Sequence, residues 1–72
     1  MQTMKPKIND AVELIDAIPS ESLAKGAIGV IVEEFTEPES AYEIEFCDEE
    51  GVTVAQIALR PNQFKLMGSL FQ

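Results

Sequence analysis

The sequence predicts an all-β domain built from five short antiparallel strands, and three observations support this fold class. Apolar and acidic side chains alternate over Ala41–Cys47, which is the period of a half-buried strand. Other short apolar segments, several of them rich in β-branched residues, are separated by turn-forming Gly, Pro and Asn. The chain has 72 residues, which is enough for one domain with one core.

The first segment, residues 10–18, is compatible with two elements. An Asp-x-x-Glu pair that resembles a capping box, together with apolar residues at helical spacing, favours a helix. The alternation of Val12, Glu13 and Leu14 favours a strand instead. Pro19 ends either element. The residues alone leave both alternatives open. Residues 1–9 show no periodicity, so we expect them to form a flexible arm ahead of a single domain at residues 10–72.

Two glycines precede the second segment, residues 27–35. A phosphate-binding loop would need a longer glycine-rich run that ends in Gly-Lys-Ser or Gly-Lys-Thr, and a dinucleotide fingerprint would need a third glycine. Because a strand follows instead of a helix, no helix N-terminus is offered to an anion. We therefore expect Gly26 to form a tight turn with Lys25. We expect Gly29 to let a bent strand pass close to its neighbour.

The remaining segments complete a meander. A polar loop that ends in Gly51 follows the third segment, and residues 52–59 are again apolar, which predicts a hairpin. Pro61 and Asn62 predict a turn before a short closing strand at residues 64–67. Two large apolar residues, Leu70 and Phe71, lie close to the C-terminus. The apolar residues at 66–71 and the open edges of a small sheet predict a homodimer.

Strand alternation assigns side chains to two faces. We expect a shared core beneath one face, made of Leu14, Val30, Val32, Tyr42, Ile44, Phe46, Ile57 and Leu59. The opposite face then carries acidic and apolar side chains together, which is the composition of a protein contact site. The candidate partner-binding residues on that face are Ile31, Glu33, Phe35, Glu43 and Glu45.

Three patterns also carry a resemblance to a known family. They are Leu-x-x-Gly-x-x-Gly-x-Ile-Val at residues 23–32, Ala-Tyr-Glu-x-Glu-Phe at residues 41–46 and Leu-x-Pro-x-Gln at residues 59–63. Over residues 10–67 the chain resembles the small uncharacterised proteins grouped as domain of unknown function 4926. The resemblance implies a five-stranded SH3-like β-barrel and a first strand over residues 11–17. We expect family members to lie beside small toxin-like or nuclease-like genes, which would suit an antitoxin or immunity role.

Composition narrows the possible partners and compartment. Thirteen acidic residues against five basic residues give a net charge of −8, which repels a phosphate backbone and argues against nucleic acid. No apolar run is long enough to cross a membrane. Acidic residues also interrupt any signal-peptide-like segment near the start. Cys47 is the only cysteine, so no internal disulfide can form. We expect a cytoplasmic protein without nucleic-acid or membrane partners.

The sequence lacks most of the residues and spacings that catalytic sites require. The chain has no histidine, which removes His-dependent acid–base catalysis and the usual zinc sites. Adjacent carboxylates occur, but adjacency in sequence does not create a perturbed pKa in a cleft, and the spacing of a calcium-binding loop is missing. We therefore expect no enzyme activity, no metal and no cofactor.

Two functions of different class remain. The first is an acidic protein-binding module that engages a basic protein, such as a toxin or nuclease, as an antitoxin or immunity partner does. The second is a structural or accessory barrel that docks on a larger enzyme or on itself. A third explanation of the acidic residues is solubility alone.

Overall fold

A computed structural model describes residues 5–67, which form one antiparallel sheet and two short 3₁₀ helices. The strands are β1 (Ala11–Leu14), β2 (Ile28–Phe35), β3 (Ala41–Cys47), β4 (Thr53–Leu59) and β5 (Phe64–Leu66). The 3₁₀ helices cover Pro19–Glu21 and Pro61–Gln63. The strand order is β4-β3-β2-β1-β5, so β4 and β5 are the two edges of an open sheet. The all-β, five-stranded antiparallel prediction is confirmed.

The ambiguous first segment forms a strand, so the helical alternative is wrong. β1 pairs with β2 on one side and with β5 on the other, and its buried residues Val12 and Leu14 are 0% and 2% exposed. Strand pairing on both sides outweighs the local helical signals because it satisfies the backbone and buries the apolar side chains together. The strand ends at Leu14, earlier than the 11–17 range that the family resemblance implied.

Both glycines occupy the positions predicted for them. The Ala27 N–H donates to the Ala24 carbonyl at 3.0 Å, and Gly26 between them has φ +87°, so this turn needs a residue that adopts positive φ. Gly29 lies opposite Phe46 in the β2–β3 pair. A Cβ atom added to Gly29 would lie 2.6 Å from Ile44 Cγ2 and 2.9 Å from the Phe46 ring. Gly29 therefore allows β3 side chains to pack directly against the β2 backbone.

The core lies beneath one face of the sheet and includes most of the predicted residues. Leu14, Tyr42, Ile44, Phe46 and Leu59 are buried in it, and Ile57 is partly buried against it. The other buried members are Val12, Leu23, Ile31, Ala55 and Phe64.

The predicted direction of β2 is wrong in its first half. Val30 is 39% exposed, whereas Ile31 is fully buried. Val32 is half-buried and lies at a bulge, where the register with β3 shifts between Ile31 and Glu33. A bulge adds one residue to a strand and so changes which side chains face the core beyond it. This is why the alternation drawn from Val30 and Val32 does not hold along the whole strand.

The β3–β4 hairpin turns through an acidic loop, as predicted. One carboxylate oxygen of Asp48 accepts the backbone N–H groups of Glu50 at 2.9 Å and Val52 at 3.0 Å. The Asp48 N–H donates to the Val52 carbonyl at 2.9 Å, and Gly51 has φ +83°. The side chain of Asp48 thus fixes the loop, and Gly51 allows its reversal.

The predicted turn after β4 is a 3₁₀ helix that leads into β5. The Arg60 N–H donates to Gln63 Oε1 at 2.8 Å, and the Gln63 N–H donates to the Arg60 carbonyl at 3.0 Å. The Arg60 guanidinium also lies 2.8 Å from a Glu39 carboxylate oxygen, and the two side chains form an ion pair. The helix places Phe64 on the core side of β5.

The sheet is strongly curled. The rings of Tyr42 in β3 and Phe64 in β5 meet edge to face with centroids 5.8 Å apart. In the sheet order, β2 and β1 lie between β3 and β5. In a flat sheet, β3 and β5 would therefore be three strand spacings apart, about 14 Å. Curling brings the two ends of the sheet toward each other over one core.

The two ends of the chain are only partly described. Residues 1–4 of the predicted arm and residues 68–72, with Leu70 and Phe71, lie outside the described part. Within it, the Asn9 N–H donates to the Ile31 carbonyl at 2.8 Å. Leu66 packs against the core, and Met67 is 43% exposed. Residues 5–67 contain no helix of the length and hydropathy that a membrane crossing requires.

Candidate functional site

The register of β2 and β3 brings three carboxylates together on the outward face of the sheet. Glu33 lies directly opposite Glu43, and Val30 lies opposite Glu45. Residues opposite each other in an antiparallel pair project from the same face. Phe35 pairs with Ala41 on the same face, at the end of both strands. We name Val30, Glu33, Phe35, Glu43 and Glu45 the acidic face.

Four of the five predicted contact residues belong to the acidic face, and the fifth does not. Ile31 is 0% exposed and belongs to the core, so the prediction that it points outward is wrong. Val30, missed as a surface residue, takes its place. The sequence held a signal for this assignment: if Gly29 permits close approach on the inner side of the sheet, then Ile31, two residues later, faces inward as well.

Polar neighbours contact the carboxylates without neutralising them. The Gln56 Nε2 donates to Glu43 Oε2 at 3.3 Å, and the Thr53 hydroxyl donates to the Glu45 carboxylate. Both donors are uncharged and lie on the neighbouring strand β4. For Glu33, residues 5–67 supply neither a hydrogen-bond donor nor a basic partner to its side chain.

The basic side chains that form ion pairs lie elsewhere. Within the described residues, ion pairs join Lys5 to Glu34 at 3.6 Å, Arg60 to Glu39 at 2.8 Å and Lys65 to Glu13 at 3.8 Å. None of these pairs includes a carboxylate of the acidic face. Its negative charge is therefore uncompensated by the described part of the chain.

Charge repulsion gives the acidic face an energetic cost. Like charges directly opposite each other on neighbouring strands are destabilising, and Glu33 and Glu43 are such a pair. The same face leaves Val30 and Phe35 each 39% exposed. Val30 and Phe35 lie toward the two ends of the face, with the Glu33–Glu43 pair between them, so a partner would meet apolar and charged groups side by side. The arrangement can bind a surface that offers both basic and apolar groups.

Three other features of the described residues were considered as sites, and each has fewer functional groups than the acidic face. A depression of about 260 Å³ lies between the β1–β2 connection and the second 3₁₀ helix, and it is lined by Asp16, Ala17, Ile18, Asn62 and Gln63. Its only ionisable group is one carboxylate. Cys47 is exposed, with its Sγ atom 4.0 Å from the Thr53 hydroxyl. Among residues 5–67, no three His, Cys, Asp or Glu side chains are placed so that they could hold a metal ion.

Comparison with known proteins gives a match at the level of a family. The family model described as Domain of unknown function (DUF4926) matches residues 8–66 of the 72-residue chain. Comparisons with curated proteins and with solved structures give no match. The matched range spans all five strands and therefore the whole acidic face.

Proposed function

The chain belongs to the DUF4926 family, and we propose that it is a non-enzymatic protein-binding module whose acidic face engages a basic protein. A toxin-like or nuclease-like protein with a basic surface is the partner that this chemistry suits. The chain would then act as an antitoxin or immunity-type partner. We place this activity in the cytoplasm, where the single free thiol of Cys47 stays reduced.

One observation carries the proposal, namely that the carboxylate of Glu33 lies opposite Glu43 and has no basic partner among residues 5–67. Repulsion across a strand pair costs a few tenths of a kcal/mol, so a purely structural sheet gains nothing from this pair. A basic partner removes the repulsion when it binds and gains charge-assisted hydrogen bonds. The exposed side chains of Val30 and Phe35 give the same partner apolar area to bury.

A charge-matched pair of variants tests the proposal. The face variant replaces Glu33, Glu43 and Glu45 with Gln. The control variant replaces three exposed acids outside the face, Glu37, Glu49 and Glu50, with Gln. Each variant neutralises three acids, so both change the net charge from −8 to −5. Any difference between the two variants then reflects the position of the charges.

We expect the control variant to recover basic proteins from a lysate of the source cells as the parent does, and the face variant to lose them. Recovery by the parent should fall steeply as NaCl is raised from about 0.05 M to about 0.5 M, because salt screens exposed charges. The face variant should be at least as stable to heat as the parent, since a repulsive pair has been removed. Equal recovery by both variants would assign the acids to solubility.

We also propose that the curled sheet is an SH3-like barrel, which is the scaffold needed for the alternative function, an accessory subunit docking on a larger enzyme. The contact between Tyr42 and Phe64 supports this assignment, because it joins strands from separate parts of the sheet. Capture of one large enzyme, unchanged by salt and by the face variant, would favour that alternative.

A further inference from the structure

Large apolar side chains follow the outward side of β2. Ile28 and Val30 are 46% and 39% exposed near the start of the strand, and Phe35 is 39% exposed at its end. Residues two apart in a strand project from the same face, so Ile28 extends the acidic face beyond Val30. We name Ile28, Val30 and Phe35 the apolar column. Glu33 projects from the same side of β2 between Val30 and Phe35.

The two sides of the apolar column differ in charge. On the β3 side, Glu43 and Glu45 project from the same face, and neither forms an ion pair with a basic side chain of residues 5–67. On the β1 side, Glu13 lies opposite Ile28, but its carboxylate lies 3.8 Å from the Lys65 ammonium group. Basic groups of a partner are therefore attracted to the β3 side of the column.

The backbone beneath the column is already paired. β2 is an interior strand that pairs with β3 over most of its length and with β1 over residues 28–30. An extended segment placed on the column would leave its own N–H and C=O groups unpaired against apolar side chains, which costs free energy. An α-helix satisfies these groups internally and can bury an apolar stripe without that cost.

The edges of the sheet are poorly suited to binding an added strand. Between Thr53 and Ala55, the pairing of β4 with β3 contains a bulge, and bulges are among the features that protect edge strands. At the other edge, β5 is three residues long and carries Lys65, and short length and charge also protect an edge. These features favour a helix on the face over a strand at an edge.

We propose that the apolar column receives a basic amphipathic α-helix of the partner, an inference that rests on the proposed function and names the element that binds. The helix lies along β2, with its apolar stripe on the column and Lys or Arg side chains over Glu43 and Glu45. Glu33, which interrupts the column, pairs with a basic side chain of the same helix.

The dimensions of β2 set the length of this helix. Seven steps of about 3.3 Å span residues 28–35, about 23 Å in all, and about 15 helical residues cover that length at 1.5 Å each. Ile28 and Val30 lie about 6.6 Å apart along the strand. This is close to the rise of about 6 Å between helical residues i and i+4, so one apolar stripe contacts both side chains.

A synthetic helix tests the inference. The striped peptide has about 16 residues of Leu, Ala and Lys with capped ends, with its leucines on one face and its lysines beside them. The matched peptide has the same composition with its leucines distributed around all sides, so the two peptides carry equal charge. Fluorescence anisotropy at about 0.15 M NaCl gives the dissociation constants, and circular dichroism gives the helix content.

A matched pair of variants locates the binding site. The column variant carries Ile28→Thr and Val30→Thr, which keep a β-branched side chain on the strand. The control variant carries Ile8→Thr and Val52→Thr at positions that are 50% and 57% exposed and lie outside the strands. Both variants retain the net charge of −8. Circular dichroism confirms that each variant folds.

We expect the striped peptide to gain helix content on binding and to bind the parent and the control variant equally. The column variant should bind it about tenfold more weakly, because apolar area is lost from the contact. The matched peptide should bind the parent about tenfold more weakly than the striped peptide, since it cannot place all its leucines on the column.

Three results would overturn the helix: no binding of the striped peptide, equal binding of the two peptides, or equal binding by the column and control variants. The proposed function would still stand if the Gln variant of the acidic face loses basic proteins from lysate. If that variant binds the striped peptide as tightly as the parent and also recovers basic proteins as the parent does, the helix and the proposed function both fail.

Discussion

Replacing Phe46 with alanine should lower the free energy of unfolding by about 3–5 kcal/mol, the range for deleting a buried phenyl ring. Phe46 is 1% exposed and lies between Gly29 of β2 and Ala55 of β4. Both neighbours are small, so the cavity has little side-chain volume nearby with which to collapse. A domain of this size has a total stability of about 4–11 kcal/mol, so the substitution removes a large fraction of it.

Phe35→Ala is the matched control, because it deletes the same ring from a position that is 39% exposed. This substitution should lower the free energy of unfolding by about 1 kcal/mol, since only part of the Phe35 ring is removed from water in the folded state. Chemical denaturation followed by circular dichroism measures both variants. Equal losses for the two phenylalanines would mean that the core has been assigned to the wrong face.

Replacing Gly29 with alanine should cost about 3 kcal/mol, at the upper end of the usual range for overpacked cores. The added methyl group would lie 2.6 Å from Ile44 Cγ2 and 2.9 Å from two ring atoms of Phe46. Both side chains are fully buried, so neither can move away into solvent. The strands β2 and β3 must separate or the core must shift.

Gly51→Ala distinguishes lack of space from backbone conformation. A Cβ atom added to Gly51 would meet no neighbouring atom, but the backbone φ of +83° at this position is unfavourable for alanine. The strained backbone should lower the free energy of unfolding by about 1–2 kcal/mol. We therefore expect a smaller loss at Gly51 than at Gly29 in thermal or chemical denaturation. A Gly29→Ala variant as stable as the parent would refute the close approach of β2 and β3.

The third strand and its hairpin were predictable because their local signals agree. The alternation of Tyr42, Ile44 and Phe46 with two glutamates has one interpretation, and Gly51 marks the turn that follows. The first strand was ambiguous because it is only four residues long, and its pairing with two other strands is not visible in local sequence. Tertiary pairing, rather than propensity, decides such a segment.

Hydropathy alone could not show which side chains of β2 face the core. Its first half is apolar on both faces, so alternation does not distinguish Val30 from Ile31. The bulge at Val32 then restores the predicted outward direction for Glu33 and Phe35, although the starting phase was reversed. The sequence therefore predicted the three carboxylates and Phe35 of the acidic face, but it did not predict Val30.

Nuclear magnetic resonance can show whether a basic protein binds the chain at the acidic face. The experiment adds the basic protein recovered by the parent to isotopically labelled chain and follows the backbone amide signals. We expect the largest changes on Glu33, Phe35, Glu43 and Glu45, and we expect these changes to shrink as NaCl is raised. Changes confined to the acidic hairpin at residues 48–51 or to the core side of the sheet, with the acidic face unchanged, would contradict it.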